Sequence, residues 1–352
     1  MSLITTTSAL DEFLPKLGGH DRIAIDTEAD SLHCYFEKLC LIQISVPGAD
    51  VLVDPLADFS LAPLYDALKD KELVIQGADF DLRLLRLAGG LLADRVFDTM
   101  IAARLVGKTE FSLAALVSQY FGVTLVKSSQ KANWAKRPLT DKMAEYAIND
   151  TCYLLPLAEK LETELRALNR WDWFQESCAK AVEMSQITRV RDTENLWRIT
   201  GSSDLRGRAS AVLRALWHWR EEEAKAVDRP AFHILHNHEM VEAARRFDAG
   251  AQVAIRHFSS SRRNRFFAAA EQALALPENE WPVILRKPRL RATPDEERRL
   301  QELKKKRDAA AEELKLEPSL IAPKAALESL AYGSGEAAEK LLPWQRTLIG
   351  AV

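Results

Sequence analysis

The chain has 352 residues, 47% hydrophobic and 28% charged, with 48 Lys and Arg against 51 Asp and Glu for a formal net charge of −3. That length supports two or three domains with a sizeable core; apolar runs stop short of the ~20 residues of a membrane span, and the opening MSLITTTSALDEF lacks the basic start and apolar stretch of a signal peptide. Cys34, Cys40, Cys152 and Cys178 include no C-x-x-C pair and are too sparse for a disulfide scaffold, so free thiols and a cytoplasmic location are expected.

The first ~170 residues alternate short apolar runs with amphipathic stretches, the rhythm of an α/β domain. Strands are expected at Arg22–Asp26, Leu39–Val46, Asp50–Val53 and Leu73–Gln76. The first three follow closely and predict an antiparallel meander, while later strands separated by helices predict parallel pairing. Helices are expected at Leu61–Lys69, Phe80–Ala88, Thr99–Val106, Leu113–Phe121 and Asp141–Leu168. Thr140 is placed to cap the last of these and Pro156 to kink or interrupt it. Gly89-Gly90 and Gly122 stop their helices.

Beyond residue 170 the strand signal fades. Trp171–Asp204 reads as helix and connector. In Ser210–Val227, the residues Leu213, Leu216, Trp217, Arg220 and Ala224 share one helical face. Asp228-Arg229-Pro230 ends that helix. Thr293-Pro-Asp-Glu296 is a capping-box start for a charged helix, and Glu317-Pro318 precedes another apolar one. Helix, Pro-containing connector, helix thus occurs at about 205–245 and again at about 294–331, a weak internal duplication. Pro282, Pro288 and Pro294 mark the stretch between the copies as a linker.

Candidate chemistry lies in carboxylates. Asp26 and Glu28 lie at the end of the strand RIAID, and residues i and i+2 point to the same face. Asp81 opens the helix after LVIQG. Tyr146 and Asp150 are one turn apart and share a helical face. Singly, each has a plain structural explanation: a solvated strand end, an acid favouring a helix dipole, a half-buried aromatic. Together, converging acids repel and are driven to bind protons unless cations neutralise them. Oxygen-rich sites without thiols suit Mg²⁺ or Mn²⁺, and two such ions clamp the attacking and leaving oxygens of a phosphodiester.

IDTEADSLHCYFEKLCLIQIS, GADFDLRLL and EYAINDTCYLLPLAEKL resemble, in order, the three exonuclease motifs of the DEDDy family. FDTMIAARLVG, SLAALVSQYFGVTL and KSSQKANWAKRPLT resemble its ribonuclease D branch. The resemblance implies a ribonuclease H-like α/β domain, a mixed sheet flanked by helices, over residues 1–170. A helical connector at 171–203 follows, then two all-α HRDC-like domains. LRALWHWREEEAKAVDRPAFHILHNHEMVEAAR resembles the first, at 204–281. AAAEELKLEPSLIAPKAALESLA and LLPWQRTLIG resemble the second, in 282–352 with its linker.

It further implies a 3′→5′ exoribonuclease that releases nucleoside 5′-monophosphates with two Mg²⁺ or Mn²⁺ ions. Asp26, Glu28 and Asp150 would hold one ion, Asp26 the other, and Asp81 would complete the site partly through water. Tyr146 would orient the nucleophile. The implied partner is RNA with a single-stranded 3′ end, precursor tRNA by analogy, with no membrane and no nucleotide cofactor. Family members often carry His where this chain has Gln76, which leaves a substrate contact there open.

Lys127, Lys131, Trp134 and Arg137 lie in a polar connector before the third motif, where a Trp either plugs the core or stacks on a terminal base. Arg286–Arg307 holds ten Lys and Arg against four Asp and Glu, and Arg262-Arg263-Asn264-Arg265 adds a cluster. These runs read either as solvated helix faces or as contacts to RNA phosphates. His233, His236 and His238 lack further zinc ligands and read as ordinary histidines. Two other readings stay open: a DNA exonuclease, though no phosphate-binding helicase motif is present, and a non-catalytic RNA-binding protein. A chain ending near residue 200 is expected to keep activity on short oligomers.

Overall fold

The computed structural model describes residues 2–126, 129–187, 194–255, 257–283, 292–333 and 339–351. Their contacts form two units. One comprises residues 2–29, 38–187 and 292–351, the other residues 30–37 and 194–283.

The first unit is built on a six-stranded sheet. Its elements in chain order are β1 (Ser2–Ile4), α1 (Thr7–Gly18), β2 (Arg22–Ala29), β3 (Leu39–Val46), β4 (Ala49–Val53), α2 (Ala62–Leu68), β5 (Glu72–Ile75), α3 (Asp79–Gly89), β6 (Arg95–Asp98), α4 (Thr99–Leu105), α5 (Leu113–Phe121), α6 (Asp141–Asn149), α7 (Leu154–Ala167) and α8 (Trp171–Gln186). The strand order is β1-β4-β3-β2-β5-β6. The meander β2–β3–β4 is antiparallel and β5 is parallel to β2, as the sequence predicts, and β6 pairs parallel to β5. Strands β1 and β6 escape the sequence reading, because three or four residues are too few to show alternation.

The sheet is covered on both faces. Ile23 and Ile25 of β2 join a core with Leu10, Leu64 and Leu85 from α1, α2 and α3. Ala24 and Val74 join the opposite core with Phe97, Leu116, Leu157 and Phe174. Every residue of β3 is buried, which matches its almost unbroken apolar run.

The predicted helix over Asp141–Leu168 is two helices. The break falls at 150–153, upstream of Pro156, where Thr151 and Cys152 both donate to Ile148 O at 3.1 and 3.0 Å. Pro156 is the third residue of α7, a position whose N–H has no intrahelical acceptor, so the ring is accommodated without a kink. Asp150 thereby becomes the C-cap of α6.

The second unit contains α9 (Gly207–Ala226), α10 (Ala231–Ile234), α11 (Asn237–Asp248) and α12 (Ser260–Leu274), with a 3₁₀ turn at Glu278–Glu280. Leu213, Leu216 and Ala224 face its core as predicted. Trp219 fills the place assigned to Trp217, which is half-buried. The segment 30–37 belongs here because Asp228 Oδ1 accepts from Tyr35 N and Phe36 N at 3.0 and 3.1 Å, and Tyr35 donates its hydroxyl to Glu221 at 3.0 Å.

The chain closes with α13 (Pro294–Leu314), α14 (Pro318–Ile321), α15 (Lys324–Tyr332) and α16 (Pro343–Ile349). Thr293 and Glu296 form the expected capping box. Elements α13 to α15 repeat the order of α9 to α11, and the hydrogen bonds repeat with it. Arg229 N donates to Ala224 O and Leu316 N to Ala311 O, both at 2.9–3.0 Å. Arg220 Nη1 reaches Leu235 O at 3.2 Å, and Arg307 Nη1 reaches Ala322 O at 3.3 Å. Each pair is offset by the same interval, so the duplication extends to the arginine that satisfies the end of the one-turn helix.

The sequence reading sets residues 282–352 apart as a separate domain; the packing joins α13–α16 to the first unit. Leu300, Ile321, Leu327 and Trp344 are buried in the same core as Phe97, Leu116 and Phe174. Trp173 and Trp344 stack at 5.0 Å with 12° between planes. Arg170, 6% exposed, donates to Leu105 O at 2.6 Å and to Leu314 O at 2.7 Å, tying α4 to α13. A segment of about 60 residues is marginal with a core of its own, and sharing a core relieves that. A chain ending near residue 200 would lack the part of this core that α13–α16 supply, and its activity on short oligomers is a test of how far the site depends on them. Arg170→Ala, which strands two carbonyls, is expected to cost about 3 kcal/mol and lower the melting temperature by several degrees. A thermal unfolding curve matching wild type would remove the tie assigned to Arg170.

Candidate active site

The site forms where β5 stops short of its neighbour. Pairing between β2 and β5 covers Arg22 to Ala24 and ends there. The following residues of β2 lose that partner, and the first turn of α3 takes its place. Asp81 Oδ1 accepts from Thr27 N at 3.1 Å and from Thr27 Oγ1 at 2.5 Å. The turn carrying Asp81 is itself held by Asp98, which accepts from Gly77 N at 3.0 Å and Ala78 N at 2.8 Å while capping α4 through Met100 N and Ile101 N. Asp98 is 2% exposed and the sequence reading missed it. An acid before a helix looks like an ordinary cap, and its second task depends on the turn lying opposite.

Asp26 and Glu28 project from β2 on the face away from Thr27, and Asp150 meets them from the end of α6. Carboxylate oxygens of Asp26, Glu28 and Asp150 all lie within 4.8 Å of one another. Asp81 lines the same cavity of about 460 Å³, with Tyr146 beside it. The structure thus brings all five expected residues to one place, three as a tight cluster and Asp81 anchored on Thr27.

Burial governs their protonation. Desolvation, then the charges of Asp81, Asp150 and Glu28, pushes Asp26 well above the usual carboxylate range. Desolvation and then Asp150 and Asp81 raise Glu28 to about 9. Asp150 rises to about 7 through burial, with the hydrogen bond from Tyr146 pulling it back. Asp81 rises to about 6 by burial, offset by its bonds from Thr27. Burial, followed by Asp150, Glu28 and Asp26, holds the Tyr146 phenol protonated. Four acids with no basic side chain among the cavity's lining residues suit a hard divalent cation, which would supply the missing positive charge.

In the connector Trp134 takes the first of its two expected roles, a plug in the core, and Arg137 is committed to the fold. Trp134 is 1% exposed and packs with Leu41, Leu52 and Met143, its ring 6.1 Å from that of Tyr146, so no base can stack on it. Arg137 grips buried Asp54 with two bonds of 2.6 and 2.7 Å and also donates to Cys40 O and Trp134 O, each at 2.7 Å, which leaves its guanidinium committed to the fold. Lys131 is exposed and not among the cavity's lining residues. Lys127 lies outside the described residues, as do residues 286–291 of the basic run. Gln76 does line the cavity, with its amide tied to Phe111 O at 2.8 Å and its carbonyl accepting from Thr99 Oγ1 at 2.5 Å. The opposite wall is apolar, with Phe80, Leu113, Leu125 and Val126.

Residues 1–166 match the 3′-5′ exonuclease family and residues 209–252 the HRDC domain family. A ribonuclease D from Jannaschia sp. strain CCS1 is 33% identical over 253 residues, which cover 68% of this chain and 64% of the relative, just under two thirds of its length. A ribonuclease D from Escherichia coli strain K12 is 31% identical over 291 residues, 80% of this chain and 76% of the relative. A crystal structure of Escherichia coli RNase D, described as an exoribonuclease involved in structured RNA processing, superimposes with a TM-score of 0.70 at 28% identity, covering 96% of this chain and 91% of that one.

Two outcomes are expected. Arg137→Ala should cost about 3–5 kcal/mol of stability by leaving Asp54 unpaired; weakened RNA binding with unchanged stability would reverse that assignment. Because these folded carboxylates hold protons more tightly than unfolded ones, the cluster's contribution to cation-free stability is fully present below about pH 4 and is lost as pH rises toward 9. Cations compete with those protons, so the gain in melting temperature from saturating Mn²⁺ should be larger at pH 8 than at pH 6. Equal gains at both pH values would show that the cluster does not bind the ion.

Proposed function

This chain belongs to the ribonuclease D family, and on that premise we propose that it is a 3′→5′ exoribonuclease, cutting phosphodiester bonds from RNA 3′ ends and releasing nucleoside 5′-monophosphates. The observation that carries the proposal is the convergence of Asp26, Glu28 and Asp150 within 4.8 Å in a cavity shared with Asp81 and Tyr146. Acids this close, and this poorly solvated, favour a site built to hold divalent cations.

Asp26, Glu28 and Asp150 are the proposed ligands of Mg²⁺ or Mn²⁺, two ions per site, with Asp81 contributing from its anchor on Thr27. When bound, the cations neutralise phosphate charge and make a water acidic enough to attack. The chain's own residues do the rest. Tyr146, kept protonated by burial and its acidic neighbours, cannot serve as a base; its O–H, bonded to Asp150, is suited to orienting the attacking water. Phe80, Leu113, Leu125 and Val126 offer an apolar wall for the sugar and base of the last nucleotide. A cavity of about 460 Å³ suits a single-stranded end rather than a duplex. The HRDC unit would hold the body of a structured RNA, and precursor tRNA 3′ ends are the proposed natural substrate. Among the described residues no helix is long and apolar enough to cross a membrane.

A 5′-labelled RNA should yield a ladder of shortened products with Mn²⁺ or Mg²⁺ and none with EDTA. A matched DNA oligomer that shortens faster would favour the deoxyribonuclease reading, and no shortening of either would leave a non-catalytic RNA binder. Asp26→Asn should reduce cleavage at least 10³-fold, an order-of-magnitude expectation for a lost metal-binding charge, while RNA binding persists. The same change should raise the melting temperature in EDTA by relieving repulsion. Tyr146→Phe should cost about 10–100-fold, since the carboxylates remain.

A further inference from the structure

We infer that Gln43 is a positioning residue for this site, its unpartnered side-chain amide standing across the strand pair from Asp26 as the donor for that carboxylate when cations are bound; the inference rests on the exonuclease reading above. Gln43 is completely buried, and neither Nε2 nor Oε1 has a hydrogen-bond partner among the described residues. An amide left so bears an uncompensated desolvation cost. It sits in the middle of β3, where every other buried side chain is apolar except Ser45.

Register says what the amide is for. Gln43 lies directly opposite Asp26 across the antiparallel β2–β3 pair. Such residues share a face, with Cβ atoms about 5 Å apart. On its other side Gln43 pairs with Leu52 of β4, which offers nothing to bond. Along its own strand, the same-face neighbours are Leu41 and Ser45, and the Ser45 hydroxyl is bonded to Thr151 Oγ1 at 2.7 Å. Asp26 is therefore the polar side chain that Gln43 meets in register.

The chemistry is complementary. Asp26 shares its cavity with Glu28, Asp81 and Asp150 and no basic side chain. A carboxylate that turns one oxygen to cations in the cavity has the other free for a donor behind it, the usual arrangement around metal ligands. A primary amide supplies that donor without charge, whereas a lysine would compete with the cations. Asp26 is the ligand assigned to both ions, so a donor that fixes its rotamer acts on both.

The test is Gln43→Leu in the full chain, with three measurements: melting temperature in EDTA, Mn²⁺ binding by titration calorimetry, and kcat and KM on a single-stranded RNA. Positioning predicts an unchanged or raised melting temperature, Mn²⁺ affinity and kcat each lower by about tenfold, and KM unchanged. An inert buried amide gives the same or better stability with wild-type kcat and Mn²⁺ affinity, and that result overturns the inference. If Gln43→Leu does not fold, Gln43→Met, similar in length and flexibility, is read by the same criteria. Wild type that neither binds Mn²⁺ nor shortens RNA would sink the exonuclease reading and this inference with it. Active wild type with unaltered variants sinks the inference alone.

Discussion

Like charge confined in a poorly solvated cavity is the constraint that organises this molecule. Asp26, Glu28 and Asp150 cannot share a space of a few ångströms as anions without compensation, and the surrounding structure holds them there regardless. Strand β2 supplies two of them by its two-residue period. The end of α6 supplies the third. Asp81 reaches the group because β5 ends early and leaves the Thr27 N–H open to it. The compensation is either a proton or a cation, and the choice between them is what couples the site to its surroundings.

The supports around the acids explain why the repulsion does not open the site. Asp98 fixes the turn before α3 with two backbone bonds and the start of α4 with two more, so Asp81 is held in place. The break at 150–153 puts Asp150 at a helix end, with Thr151 bonded to Ser45 of the sheet. Arg137 and Asp54 lock the connector before α6, and Trp134 fills the space beneath it. These side chains do not line the cavity, yet they hold the frame on which the cavity depends.

The duplicated helices show one local plan put to two packing uses. The same long helix, one-turn helix and shorter helix occur twice, each with an arginine on the carbonyl that ends the one-turn helix. The first copy builds its own core around Leu216, Met240 and Phe266. The second gives its apolar face to the core that contains Phe97 and Phe174. Local capping and turn chemistry are alike in both, so the difference lies in which apolar surface each copy meets.

What the sequence determined by itself was whatever rests on short-range periodicity. Alternation placed Asp26 and Glu28 on one face, helical spacing placed Tyr146 beside Asp150, and caps such as Thr140, Thr293 and Gly122 marked helix ends, because each depends on residues within a turn or two of chain. Tertiary structure alone decided which way the ambiguous groups face. Trp134 and Arg137 read the same in a connector whether they meet RNA or the core. Asp98 looks like a simple cap until the turn at Gly77 and Ala78 is opposite it, and the C-terminal helices look independent until Trp344 lies on Trp173. Those outcomes depend on partners tens to hundreds of residues away, and a local pattern carries no information about what packs against it.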